Sequence, residues 1–242
     1  MIKLYNDDCL EILPTLQEGS IDLVLTDLPY GTTACKWDNI IPFKPMWELL
    51  KPLTKENGVV LLFGTEPFSS RLRLSNIENF KYDWIWVKDK GTNIFTANKR
   101  PMQNTELISV FYESQPHYNP MMRKGEPYVR IQRKSMLGGH LGNANRKAAD
   151  KINNTGERFP LQTIYFARDT SKGVSFHPTQ KPVKLLQYLI LTYTKKGDTV
   201  LDFTMGSGST GVAAKSLKRN FIGIEQDEEY YKIAFHRIYG IK

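Results

Sequence analysis

The stretch Leu201-Asp202-Phe203-Thr204-Met205-Gly206-Ser207-Gly208-Ser209-Thr210-Gly211 constrains this chain more than any other. An apolar run, Thr199–Phe203, enters it, and a helical pattern, Gly208–Leu217, leaves it. A glycine-rich passage from strand to helix permits a tight turn and lets a ligand approach the main chain. The start of the helix beyond offers free N–H groups to an anion. The next strand, Phe221–Glu225, ends on an acid, close to the spacing at which a carboxylate meets a ribose diol. A helix over Asp227–Ile238 completes a βαβ unit. Gly206, Gly208 and Gly211 also satisfy G-x-G-x-x-G. Two other readings stay open on this motif alone: a glycine-rich turn with no ligand, and the cofactor turn of a nicotinamide dehydrogenase. The latter usually opens its domain with this unit, whereas here the chain ends shortly after it.

The same alternation runs through the earlier part of the chain. Ile21–Asp27 reads as a buried strand and Pro42–Lys51 as a helix with Met46, Trp47, Leu49 and Leu50 apolar. Val59–Phe63 is a strand, Glu66–Ile77 a helix, and Trp84–Val87 and Leu107–Tyr112 are further strands. Pro182–Thr194 is an apolar helix with proline near its first turn. This order predicts an α/β fold with helices on both faces of the sheet. A length of 242 residues fits one such domain with a large insertion.

That insertion is the segment 114–176, which has weak periodicity and is too long for an ordinary loop. It holds eleven Lys and Arg, among them Arg123, Lys124, Arg130, Arg133, Lys134, Arg146 and Lys147, against four acids. Nearly the whole formal charge of +8 therefore sits in one segment. Such segregation points to an anionic partner there, against the plainer reading of a solvated basic loop. The expected division is 1–113, the insert 114–176, and 177–242. The two cysteines, Cys9 and Cys35, and the four histidines show no metal-ligand spacing. Reduced thiols and no metal are expected. The N-terminus lacks a signal-peptide pattern and no apolar run spans a bilayer, so a cytoplasmic protein without a membrane partner is expected.

Asp27-Leu28-Pro29-Tyr30 closes the strand Ile21–Asp27. In an open α/β sheet the carboxyl ends of strands line the ligand crevice. An acid, a proline and an aromatic ring make an unusual tip, although alone it also reads as a proline turn with an incidental tyrosine. After it come the basic insert, His177-Pro178-Thr179-Gln180-Lys181-Pro182, the motif Asp202 to Thr210, and Glu225. In this order the motifs resemble the DNA amino-methyltransferases of the permuted class, whose catalytic motif precedes the cofactor motif. That family carries D-P-P-Y or S-P-P-Y, a target-recognition region, H-P-x-x-K-P, then D-P-F-x-G-S-G-T-T. The resemblance covers essentially the whole chain, the insert by position and charge only. Asn6-Asp7-Asp8-Cys9-Leu10 is similar to the family's N-terminal acidic motif, with Asp8 at the acid position. Asp8 is equally suited to cap a helix over Cys9–Leu16. The chain departs from the pattern at Leu28, where the family has its first proline, and at Phe203-Thr204, where it has Pro-Phe.

The resemblance implies a Rossmann-like methyltransferase sheet, mixed and mostly parallel, with S-adenosylmethionine as cofactor. It implies methyl transfer to an exocyclic amino group in double-stranded DNA, with adenine N6 favoured over cytosine N4 because Asp27 rather than serine heads the motif. A DNA-binding protein with a degenerate methylase fold is the alternative from another class. Catalytic roles fall to Asp27, Leu28 through its carbonyl, Pro29, and Tyr30, which would stack on the base. Two acceptors facing the amino N–H groups favour a free lone pair on nitrogen, and the base must leave the helix to be reached. Cofactor contacts are implied for Asp8, Cys9, Asp27, Thr179, Lys181, Asp202, Thr204, Met205, Gly206, Ser207, Gly208, Ser209 and Glu225. DNA contacts are implied for the basic residues of the insert. Gly31–Asp38, with Trp37, is expected to close over the extruded base, and His177 to be structural. A homodimer and a companion restriction enzyme are further expectations.

Overall fold

The apolar run Ile21–Asp27 forms a strand, and its side chains sort onto two faces. Leu23 and Leu25 join one core with Leu186, Ile190 and Ala213, whereas Val24 joins another with Met46, Leu50 and Phe68. A period of two places successive side chains on opposite faces, so a strand apolar throughout must be covered on both sides. The computed structural model describes residues 1–31, 39–131, 151–169 and 180–240. In chain order its elements are β1 (Ile2–Tyr5), α1 (Cys9–Ile12), β2 (Ile21–Asp27), α2 (Phe43–Leu53), β3 (Thr54–Gly64), α3 (Phe68–Leu74), β4 (Phe80–Thr92) and β5 (Gln103–Phe111). There follow β6 (Arg123–Lys124), β7 (Tyr128–Ile131), β8 (Lys151–Asn154), β9 (Glu157–Arg158), β10 (Thr163–Tyr165) and α4 (Val183–Tyr193). The last are β11 (Thr199–Asp202), α5 (Ser209–Ser216), β12 (Asn220–Ile224) and α6 (Glu228–Tyr239). Two compact units result: Met1–Asn119 with Gln162–Lys242, and Pro120–Leu161.

In the larger unit eight strands pair in the order β1-β12-β11-β2-β3-β5-β4-β10. β5 runs antiparallel to both its neighbours, and the other pairs are parallel. Buried residues of α4, α5 and α6 belong to the core shared with Leu23, and those of α1, α2 and α3 to the core shared with Val24. The expected mixed sheet with helices on both faces is therefore present. β2 and β11 lie side by side, with Leu23 opposite Val200 and Val24 opposite Leu201. From β2 the chain crosses through α2 to β3; from β11 it crosses through α5, over the other face, to β12. Crossovers that part in this way leave a crevice at the carboxyl ends of the two strands.

Several elements differ from the sequence reading. The edge strands β1 and β10 were not expected; they are four and three residues long, too short for a period to show. β3 begins at Thr54 and β4 runs on to Thr92, because ladder bonds continue through polar residues beyond the core. β10 pairs with β4, so residues 162–165 belong to the large unit, and the separate unit is narrower than the segment 114–176. That smaller unit holds two antiparallel pairs, β6 with β9 and β7 with β8. In it the Arg158 guanidinium lies 4.6 Å from the centre of the Tyr128 ring and bonds Asn154 Oδ1 and the Glu126 carbonyl. Among the described residues no helix is long and apolar enough to cross a membrane.

Gly211 shows how closely α5 and α6 pack. A Cβ there would stand 2.4 Å from Ile238 Cδ1 and 2.7 Å from the Phe221 ring. Overpacking of this kind costs about 1–3 kcal/mol. Gly211→Ala should lower the urea midpoint accordingly, and a midpoint equal to the parent's would contradict the close approach.

Candidate active site

The carboxyl ends of β2, β11 and β12 open into one cavity of about 960 Å³, at the upper end for small-molecule sites. Asp27 to Tyr30, Asp202 to Ser207 and Glu225 all line it. Threonine hydroxyls tie the two central strand tips together. Thr26 Oγ1 donates to Asp202 Oδ1 at 3.2 Å and accepts from the Phe203 N–H at 3.2 Å. Thr204 Oγ1 donates to the Asp27 carbonyl at 2.9 Å. Asp202 also accepts from the Thr204 N–H and the Thr210 hydroxyl. Burial pushes its carboxyl up from 3.8 to about 7, against the pull of those bonds.

Glu225 follows β12, its N–H bonded to the Tyr5 carbonyl of β1. Its Oε2 accepts from the Gly206 N–H at 2.8 Å and its Oε1 from the Asp227 N–H at 2.9 Å. Burial raises its carboxyl above the ordinary range while these two N–H groups oppose the shift. Asn6 braces the same corner by donating to the Glu225 carbonyl at 2.8 Å. Asp8 caps α1, with Oδ1 accepting from the Leu10 N–H at 2.8 Å, and also lines the cavity; both sequence readings of it are compatible with that position. Cys9 lines the cavity too, and burial, then Asp8, pushes its thiol up to about 12.

At the tip of β2 the charges are dense. Asp27 Oδ1 accepts from the Tyr30 hydroxyl at 2.6 Å, and Oδ2 is paired with the Lys181 ammonium. Lys181 also pairs with Glu106 Oε1 at 3.0 Å, and Lys88 with Glu106 Oε2 at 2.7 Å. The Tyr30 hydroxyl reaches Glu106 Oε1 at 3.1 Å as well. Two acids thus share Lys181, but Glu106 has Lys88 besides. Burial raises the Glu106 carboxyl, but the two ammonium groups outweigh it and hold the group below its usual range. Burial outweighs Lys181 at Asp27, and with Glu106 adding to it, Asp27 is held above its usual range. Burial keeps Tyr30 a phenol well above its ordinary value.

The motif residues are not equivalent in space. Leu28 is 3% exposed and packs with Met46 and Leu50, so its side chain plugs the core beneath the tip. The Tyr30 ring lies 5.0 Å from that of Phe68, and its hydroxyl bonds the acids of the tip. Lys181, expected on the cofactor, has its ammonium on Asp27 and Glu106, because a buried and a half-buried carboxylate side by side require a cation. Gly208, also expected on the cofactor, is not in the cavity wall; it takes φ 78°, and a Cβ there would stand 2.8 Å from Ala234 Cβ. Ser207 and Ser209 are held by Arg237 of α6 at 2.8 and 3.3 Å. Met205 is buried in the turn, its N–H on the Ile224 carbonyl. Arg130 lies in β7, and Arg123 and Lys124 form β6. Thr179, His177, residues 32–38 with Trp37, and Arg133, Lys134, Arg146 and Lys147 lie outside the described residues. Sequence reasoning missed Glu106, Lys88, Thr26 and Arg237. A signal existed for Glu106: it shares the parity of the apolar Ile108 and Val110, which puts it on their face of the strand.

The switch point and the acid-bearing glycine turn are those of an α/β enzyme that holds a nucleoside-containing cofactor at strand ends. Comparison with known proteins narrows that class. The N6/N4 methyltransferase family model, described as DNA methylase, matches residues 21–236. The type II methyltransferase M2.MboI of Moraxella bovis is 26% identical over 99% of this chain and 88% of its own length. M2.DpnII of Streptococcus pneumoniae is 29% identical over 97% of this chain and 88% of its own length. Among solved structures, M1.HpyAVI in complex with S-adenosylmethionine aligns with a TM-score of 0.66 and 28% identity over 98% of this chain and 100% of that one. The cytosine-N4-specific PvuII methyltransferase shares the fold, with a TM-score of 0.71 and 19% identity over 98% of this chain and 86% of its own. The chain belongs to the N6/N4 DNA methylase family and is an S-adenosylmethionine-dependent DNA methyltransferase.

The raised Asp202 carboxyl has a consequence for stability. The folded state binds this proton more tightly than the unfolded chain, so the group's contribution is fully present below about pH 4 and is lost as pH rises through about 7. The loss is on the order of 4 kcal/mol. Asp202→Asn removes the titration. Its stability relative to the parent should rise between pH 4 and pH 8 in denaturant melts, and a difference independent of pH would refute the buried proton.

Proposed function

We propose that this methyltransferase acts on N6 of adenine in duplex DNA, with Asp27 as the group that receives the target amino group. The observation that carries this reading is that the Asp27 carboxylate, the glycine turn and Glu225 line a single cavity. The residues present fit the cofactor. Each Glu225 oxygen holds one backbone N–H and keeps lone-pair capacity for a ribose hydroxyl. The turn Thr204 to Ser207, with Asp8 and Cys9, supplies further wall. Bound there, S-adenosylmethionine supplies an electrophilic methyl group on a positively charged sulfur.

The chain's own residues prepare the nucleophile. Asp27 and the Leu28 carbonyl accept hydrogen bonds from the two amino N–H groups, which withdraws the nitrogen lone pair from the ring. A carboxylate held above its usual range is a strong acceptor, suited to take the proton that the nitrogen sheds. The Tyr30 hydroxyl on Oδ1 and the Lys181 ammonium on Oδ2 fix the carboxylate plane. With both partners fixed, much of the rate gain is alignment. Asp27, where serine stands in part of the family, supports adenine over cytosine. The unit Pro120–Leu161 is proposed to meet DNA, with Arg123, Lys124, Arg130, Arg133, Lys134, Arg146 and Lys147 on phosphates and base edges. Relatives named type II methyltransferases support a companion restriction enzyme that reads the same site, and a homodimer is the assembly expected.

Glu225→Ala removes two charge-assisted bonds to the ribose, each worth about 1.5–3 kcal/mol. S-adenosylmethionine affinity measured by calorimetry should fall about tenfold or more. Unchanged affinity in a folded variant would remove Glu225 from the cofactor site.

Asp27→Ala should abolish methyl transfer while leaving DNA binding largely intact. Asp27→Asn keeps an oxygen acceptor but loses the charge, and should retain a trace of activity at most. Nucleosides released from DNA modified by the parent should contain N6-methyladenine. N4-methylcytosine as the sole product would overturn the base assignment, and full activity in Asp27→Ala would overturn the mechanism.

A further inference from the structure

The hairpin joining β4 to β5 ends in a tip that the chemistry above does not use. Asn93 takes a left-handed φ of 67° and turns the chain into the 3-10 turn Ile94–Thr96. That turn drives two apolar side chains into solvent: Ile94 is 61% exposed and Phe95 101%. A lone exposed apolar residue is ordinary. Here two adjacent ones stand at an apex, and cations flank them. Lys90, Lys99 and Arg100 are exposed, and none is paired with an acid among the described residues. Asp89, the acid of this segment, is held by Arg168 at 3.3 Å. The tip is also continuous with the active site, because Thr92, Asn93, Arg100 and Gln103 line the cavity that Asp27 lines.

We propose that Phe95 is a wedge that enters duplex DNA and fills the space left when the target base swings into the cavity. The inference rests on the DNA methyltransferase reading and adds the step by which the base leaves the helix. Extrusion bares the faces of the neighbouring bases and orphans the partner base. An aromatic ring stacks on such faces without regard to sequence, and apolar side chains inserted at base steps unstack them. Lys90, Lys99 and Arg100 meet phosphates on either side of the entry point. Three cations without acidic partners among the described residues, beside the cavity mouth, favour a polyanion over a second protein as the occupant.

The recognition sequence is first read by sequencing plasmid DNA modified by the parent enzyme. Initial methylation rates are then compared on two oligonucleotide duplexes carrying that sequence. One is fully paired; in the other the target base faces an abasic site and is already free. Phe95→Ala should slow methylation of the paired duplex about tenfold or more, as loss of one stacked ring predicts. On the abasic duplex its rate should match the parent's, and Phe95→Trp should keep the parental rate on both. The ring is fully exposed, so the substitution removes no packing. A parental rate on the paired duplex, or an equal loss on both duplexes, overturns the wedge. A parental rate accompanied by an altered sedimentation coefficient would instead make the tip a contact between copies of the chain. The product base is read from the same parent-modified DNA, so a wrong adenine assignment is detected separately from a wrong wedge.

Discussion

Two threonines hold the carboxyl ends of β2 and β11 together, and the rest of the site depends on that clasp. Thr26 bridges to Asp202 and Phe203, and Thr204 returns a bond to the Asp27 carbonyl across 177 positions of sequence. The parallel pairing beneath it sets the register, with Leu23 on Val200 and Val24 on Leu201. A slip of one residue would turn every side chain of β2 to the other face. Both faces of β2 are buried, so volume as well as pattern opposes such a slip. The end of β2 and the glycine turn are therefore neighbours because of sheet order and in spite of chain order.

Above the clasp lies a buried set of charges that makes sense only as a whole. Asp27, Glu106, Lys88 and Lys181 form a chain of ion pairs closed by the Tyr30 hydroxyl. Burying such groups is costly, and removal of one leaves its partners uncompensated. The arrangement also divides labour between two carboxylates. Glu106 has two ammonium partners and stays firmly ionised, whereas Asp27 has one and is left the more basic acid at the cavity wall. Lys181 stands two residues before α4, and its ammonium ties that end of the helix to the tip of β2.

The glycines of the turn serve packing as much as ligand approach. Gly208 and Gly211 let α5 lie directly against Ala234 and Ile238 of α6, and Arg237 on the same helix binds Ser207 and Ser209 from behind. α6 thus supports the turn through Ala234, Arg237 and Ile238. The family pattern alone gives no reason for this helix, yet the shape of the turn rests on it.

The α/β class, the strand Ile21–Asp27, the βαβ unit from Thr199 to Ile238 and the residues of the two motifs are legible in the chain alone. These are local facts: an apolar period, a glycine turn and an acid at a strand end leave their mark within a few residues. The edge strands β1 and β10 left none, since three or four half-buried residues owe their conformation to the strand beside them. Glu106 and Lys88 were half-legible, as charges inside strands whose parity faces inward, but no local rule names their partner. The assembled fold alone reveals that Lys181 belongs to Asp27 and Glu106, that Gly208 faces a helix, and that Phe95 stands free beside the cavity. Ion pairs and packing contacts form between residues distant in the chain, and their energy depends on burial, which exists only once the sheet is assembled.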